Sequence, residues 1–73
     1  MKNPKVGQTV VVHDRYRFAI PLKAIVVKLS DINDGVQLQM LESNNHRYPV
    51  GCDDVWVSKH QLTKVKLNEP NTR

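Results

Sequence analysis

Short runs of β-branched or alternating residues, each ended by turn formers, limit this chain to an all-β fold. Thr9-Val10-Val11-Val12-His13 is the first run and Ala24-Ile25-Val26-Val27-Lys28-Leu29 the second. The segment Ser30-Asp31-Ile32-Asn33-Asp34-Gly35 that follows is dense in turn formers. Val36-Gln37-Leu38-Gln39-Met40 alternates strictly, which puts Val36, Leu38 and Met40 on one face and both glutamines on the other. After the turn Ser43-Asn44-Asn45, Asp54-Val55-Trp56-Val57-Ser58 alternates again, and Leu62-Thr63-Lys64-Val65-Lys66-Leu67 closes the series. No window carries a helical stripe longer than one turn. Ser58-Lys59-His60-Gln61 has that length, with Ser58 placed to cap it, and reads as a 3₁₀ turn.

A chain of 73 residues forms one small domain, in which roughly 60% of the unfolded surface is buried. Cys52 is the only cysteine, so no internal disulfide can assist and the core must be a packed aliphatic one. Five strands in an open sheet would leave exposed edges, and curling into a small barrel removes them. Residues 5–67 are expected to form that barrel. Residues 1–4 read as a flexible N-terminus and 68–73 as a disordered tail. Phe18, Ile20 and Leu22 are expected to close the end of the barrel.

The order of these parts resembles the SH3-like barrel superfamily. Val6-Gly7-Gln8-Thr9-Val10-Val11-Val12 is similar to its first strand, and Val55-Trp56-Val57-Ser58-Lys59-His60-Gln61-Leu62-Thr63-Lys64-Val65 is similar to the ending of KOW and Tudor barrels. The resemblance is to the superfamily and not to KOW alone, whose second strand follows a glycine where this chain has Pro21-Leu22-Lys23-Ala24. It implies a five-stranded SH3-like barrel with a one-turn 3₁₀ helix before the last strand, in which the first and last strands are neighbours.

That adjacency gives meaning to the charges. Residues 1–28 carry Lys2, Lys5, Arg15, Arg17, Lys23 and Lys28 against Asp14 alone, and residues 29–58 carry Arg47 against Asp31, Asp34, Glu42, Asp53 and Asp54. The last segment is basic again through Lys59, Lys64, Lys66 and Arg73. Neighbouring first and last strands would merge the two basic ends into one patch able to steer a polyanion. Lysines on strand edges also serve simply against aggregation, and that alternative stands beside the first.

In the first loop Arg15 and Arg17 alternate with Tyr16 and Phe18, pairing phosphate ligands with stacking rings. The expected nucleic-acid contacts are therefore Arg15, Tyr16, Arg17, Lys23, Lys28, Lys64 and Lys66. Trp56 turns outward if Val55 and Val57 turn inward, making Trp56, with Tyr48 nearby, a partner contact; packing against Pro21 or Tyr48 is the alternative.

Enzymatic chemistry is not expected. Gly-rich phosphate loops are absent, and Asp53 and Asp54 are adjacent and belong to a turn. Cys52, His13, His46 and His60 contain no close Cys-x-x-Cys or His-x-x-x-His pair, so neither a metal nor another cofactor is implied. No apolar stretch approaches a membrane span, no signal peptide is legible, and the expected location is the cytoplasm. Two functions follow: a barrel binding DNA or RNA, or a protein adaptor or inhibitor. The second would dock on a larger enzyme like an accessory subunit or a small bacteriophage regulator. A homodimer through the Trp56 face is a further option.

Overall fold

The computed structural model describes residues 1–65, so Lys66 and the proposed tail 68–73 lie outside the described residues. The chain is all-β. Its strands are β1 (Thr9–Val12), β2 (Leu22–Leu29), β3 (Gly35–Met40), β4 (Val55–Ser58) and β5 (Leu62–Lys64), with a 3₁₀ turn, η1, at Lys59–Gln61. All pairings are antiparallel, in the order β4-β3-β2-β1-β5. The first and last strands are neighbours. The sheet is not closed: β4 and β5 stand at opposite ends of the order and are joined through η1. No helix among the described residues is long and apolar enough to cross a membrane.

Strand alternation sorts the side chains. On the inner face Leu22, Val12 and Leu62 form one cross-strand row, Met40, Ala24 and Val10 a second, and Val26, Leu38 and Val55 a third, all buried. Each fully buried aliphatic or methionine side chain contributes roughly 1.5–3 kcal/mol, the main source of stability in a chain without a disulfide. Phe18 from the first loop and Leu22 are buried as expected, but Ile20 is 58% exposed. Phe18, unlike Ile20, is drawn under the sheet, because its backbone closes a turn on Asp14 while Ile20 lies beyond the turn.

Two local devices shape the frame. Gly7 adopts φ +90°, a left-handed conformation open to glycine, at the turn that brings Lys5 back over Gln8. In β2, Val26 pairs with Leu38 and Lys28 with the next residue on β3, Gln37, so Val27 is the extra residue of a β-bulge. η1 is capped as its sequence indicates: Ser58 Oγ accepts from the His60 N–H, and Gln61 Oε1 accepts from the Ser58 N–H.

Residues 1–4, read from composition as flexible, are seated on the corner between η1 and β5. The Met1 ammonium donates to the carbonyls of Lys59 and Leu62, both at 2.9 Å, Met1 packs against the core, and Pro4 is buried.

Candidate nucleic-acid interface

The first loop is built around a buried carboxylate. Asp14 is 3% exposed. Its Oδ1 accepts the Tyr16 N–H at 3.1 Å and its Oδ2 pairs with Arg17 Nη1, while its main-chain carbonyl accepts the Phe18 N–H at 2.8 Å. The Arg17 guanidinium lies 5.5 Å from the centre of the Tyr48 ring, and Phe18 meets the same ring edge-on at 5.7 Å. Asn45 Nδ2 donates to the Arg17 carbonyl at 2.7 Å, tying the loop to the β3–β4 connection. Partial burial disfavours the charge on Arg17, but Asp14 and Tyr48 outweigh it and its pKa is raised.

This arrangement gives Arg15, Arg17 and Tyr48 different settings. Arg15 and Arg17 look equivalent in sequence, yet Arg17 is occupied internally because the turn brings it back over Asp14. Tyr48 anchors the loop through the Arg17 guanidinium and the Phe18 ring. Arg15 and Tyr16 remain exposed at the tip, Tyr16 entirely so.

The outer sheet face supplies the second set of groups. None of the five strands contains an aspartate or a glutamate, while β2 carries Lys23 and Lys28 and β5 carries Lys64. The registers give three outward rows: Lys23–Val11–Thr63, Thr9–Ile25–Gln39 and Lys28–Gln37–Trp56. Lys23 and Lys28 are separated by roughly 15 Å along β2 at the usual strand rise. Lys64 pairs with Val10, whose side chain faces inward, so at this free edge it belongs by register to the face opposite Lys23. The first and last strands are thus adjacent as expected, but β1 stands between the lysines of β2 and Lys64 of β5, which do not form a single cluster.

Trp56 is 42% exposed and turns outward between buried Val55 and Val57. It lies beside Gly35: a Cβ placed on Gly35 would stand 3.4 Å from the indole Cε3 and 2.7 Å from Asn33 Oδ1. Beyond the ring is an open groove of about 670 Å3 edged by Asn33, Asp34, Ser58 and Gln61.

No protein-family model, curated protein or solved structure matches the chain.

The carboxylates of the described residues all sit in connections. Asp34 is held by Lys59 Nζ at 3.7 Å and His60 Nε2 at 3.4 Å, and Glu42 Oε1 accepts the Lys23 main-chain N–H at 3.0 Å. Asp54 Oδ1 accepts from the Cys52 thiol at 3.1 Å. The Asp54 main-chain N–H favours the Cys52 thiolate, but its carboxylate, partial desolvation and the charge of Asp53 outweigh this, and the thiol pKa is raised. His13 Nε2 lies 2.9 Å from Thr63 Oγ1. Among the described residues no three His, Cys, Asp or Glu side chains gather as metal ligands do.

Gln37 and Gln39, turned outward by the alternation of β3, also belong to this face. Gln37 Nε2 donates to the Asp53 carbonyl at 2.5 Å and Gln39 Nε2 to Gly51 at 3.5 Å, so they brace the segment before β4 from the outer face. The role of Asp14 carries one sequence signal, an acidic residue three positions before an arginine, which is indistinguishable from an ordinary surface pair until burial is known.

Proposed function

We propose that the chain is an SH3-like barrel acting as a small non-enzymatic module that binds nucleic acid, in keeping with a reducing cytoplasm where Cys52 stays free. The observation that carries this reading is the sorting of charge by element: every carboxylate of the described residues is in a connection, and the outer face of the strands carries Lys23, Lys28 and an exposed Trp56. A polyanion laid on the outer face meets lysine, amide, hydroxyl and indole groups with no acidic strand residue to repel it. Arg15 and Tyr16 extend the surface past the Lys23 end.

Anisotropy of labelled oligonucleotides across a salt series tests the reading. Binding should weaken steeply with salt, because phosphate contacts release counterions. Lys23→Gln and Lys28→Gln should each lower the salt slope by about 1, and Arg15→Gln likewise. Arg17→Gln should leave the slope unchanged. Absence of binding to any DNA or RNA at about 50 mM salt would overturn the proposal.

A second reading, a protein adaptor or inhibitor, is favoured by one observation. Tyr16 is fully exposed on a loop whose base is locked by Asp14, Arg17, Asn45 and Tyr48, and a rigidly presented tyrosine beside an arginine has the composition of an interface hot spot. Capture of a protein from lysate that survives nuclease treatment and is lost in Tyr16→Ala would support it over the first.

A further inference from the structure

Trp56 has one side supported and the other open. Val55 and Val57 are buried on either side of it, which fixes the backbone, and the capped η1 turn begins three residues on, at Lys59. The indole lies close over Gly35, where no side chain intervenes, and a Cβ there would crowd both the ring and Asn33. Across the open side the groove has a polar rim. Asn33 Oδ1 is already engaged by the Gly35 N–H at 2.7 Å, which leaves the Asn33 NH₂ as a donor, and Ser58 Oγ accepts from His60 N–H, which leaves its hydroxyl hydrogen free to donate. Asp34, the one carboxylate on the rim, is drawn toward Lys59 and His60.

Lys28 stands in the same cross-strand row with Gln37 between, two strand spacings or roughly 10 Å from Trp56, within which a lysine side chain can approach a phosphate beside the ring. An aromatic platform with a cation at that spacing suits a base whose faces are free. A base inside a duplex has neighbours stacked on both faces and cannot lie on a tryptophan of a sheet, whereas an unpaired base can.

We infer that Trp56 seats one unpaired base, so that the nucleic acid taken by this face is single-stranded, with Lys28 on the adjoining phosphate. The inference rests on the nucleic-acid reading above and narrows it to one strand state and one seat.

Trp56 is the only tryptophan, so its emission reports the seat directly. The full chain is titrated with a single-stranded oligonucleotide, with the duplex of the same sequence, and with an abasic strand of equal length. The single strand should quench Trp56 and bind at least tenfold more tightly than the duplex, and the abasic strand should bind without quenching. Trp56→Ala should weaken single-strand binding by roughly 5- to 150-fold, the usual worth of one stacked base, and Trp56→Phe should retain most of the affinity. Equal affinity for single strand and duplex with unchanged emission would overturn the inference and leave the charge-based reading standing. Failure of the wild-type chain to bind any of the three would remove both. Quenching that follows protein concentration alone would assign the face to a second copy of the chain and likewise overturn it. The wild-type titrations decide the matter even if Trp56→Ala fails to fold.

Discussion

Replacing Asp14 by asparagine keeps the side-chain shape and removes its charge, which isolates the electrostatic part of the first loop's anchor. Asp14 is almost wholly excluded from water, and the Arg17 side chain is about one-third exposed. Asparagine can still accept the Tyr16 N–H through its carbonyl, so the loss falls on the pair with Arg17. Hydrogen bonds to charged groups contribute about 1.5–3 kcal/mol, and the incoming NH₂ adds a buried donor facing another donor. A domain of this size melts about 4–8 °C lower for each kcal/mol lost, so Asp14→Asn should lower Tm by about 6–24 °C. Against a total stability of roughly 0.05–0.15 kcal/mol per residue, that is a large share. Arg17→Met should cost a comparable amount, because it leaves the buried carboxylate without its cation. The double variant should lose less than the sum of the two by about 1 kcal/mol or more. Thermal and urea melts followed by circular dichroism and Trp56 emission supply all four corners of the cycle. A coupling within about 0.3 kcal/mol of zero, the limit of additivity for independent sites, would show that the loop is held by something else.

Deleting residues 1–4 should lower Tm, since Pro4 is buried and Met1 both packs on the core and bonds the η1–β5 corner; burial of about one apolar side chain corresponds to roughly 1.5–3 kcal/mol. A melt identical to that of the full chain would return these residues to the status of a frayed end. Alkylation of Cys52 should follow its raised pKa. At a given pH the folded chain holds less thiolate than the urea-unfolded chain, so iodoacetamide reacts more slowly with it, and Asp54→Asn moves the rate profile to lower pH. By linkage, the stability this thiol contributes is present below its unfolded pKa and lost as pH rises through the folded one. Coincident folded and unfolded profiles would refute the assigned contact.

The strands were legible because β-branched runs and strict alternation are local signals, and the sheet keeps their faces: Val36, Leu38 and Met40 are inside and Trp56 between two valines is outside. The capped turn at Ser58 was legible for the same reason. What could not be read depends on contacts distant in sequence or on broken periodicity. Arg17 is distinguished from Arg15 by a turn that reaches a carboxylate and a ring 31 residues away. Ile20 is exposed although its type favours burial, since nothing in its side chain records where the turn ends. Alternation from Ala24 and Val26 would send Lys28 inward, and only the extra residue at Val27 turns it out.

That extra residue has a wider effect on β2, which alone bridges the β1–β5 half and the β3–β4 half. Both its flanks are engaged only from Lys23 to Val26, including the Gly7 and Gln8 bonds to Val26 and the Leu41 bond to the Lys23 carbonyl, and the irregularity begins immediately after. Excising Val27 would preserve the orientation of Lys28 and Leu29 and take away only the added bend and twist. The distance and dihedral angle between the Arg15–Lys23 end and the Trp56–Lys28 end are therefore governed by the length of a single strand, independently of which groups those ends display.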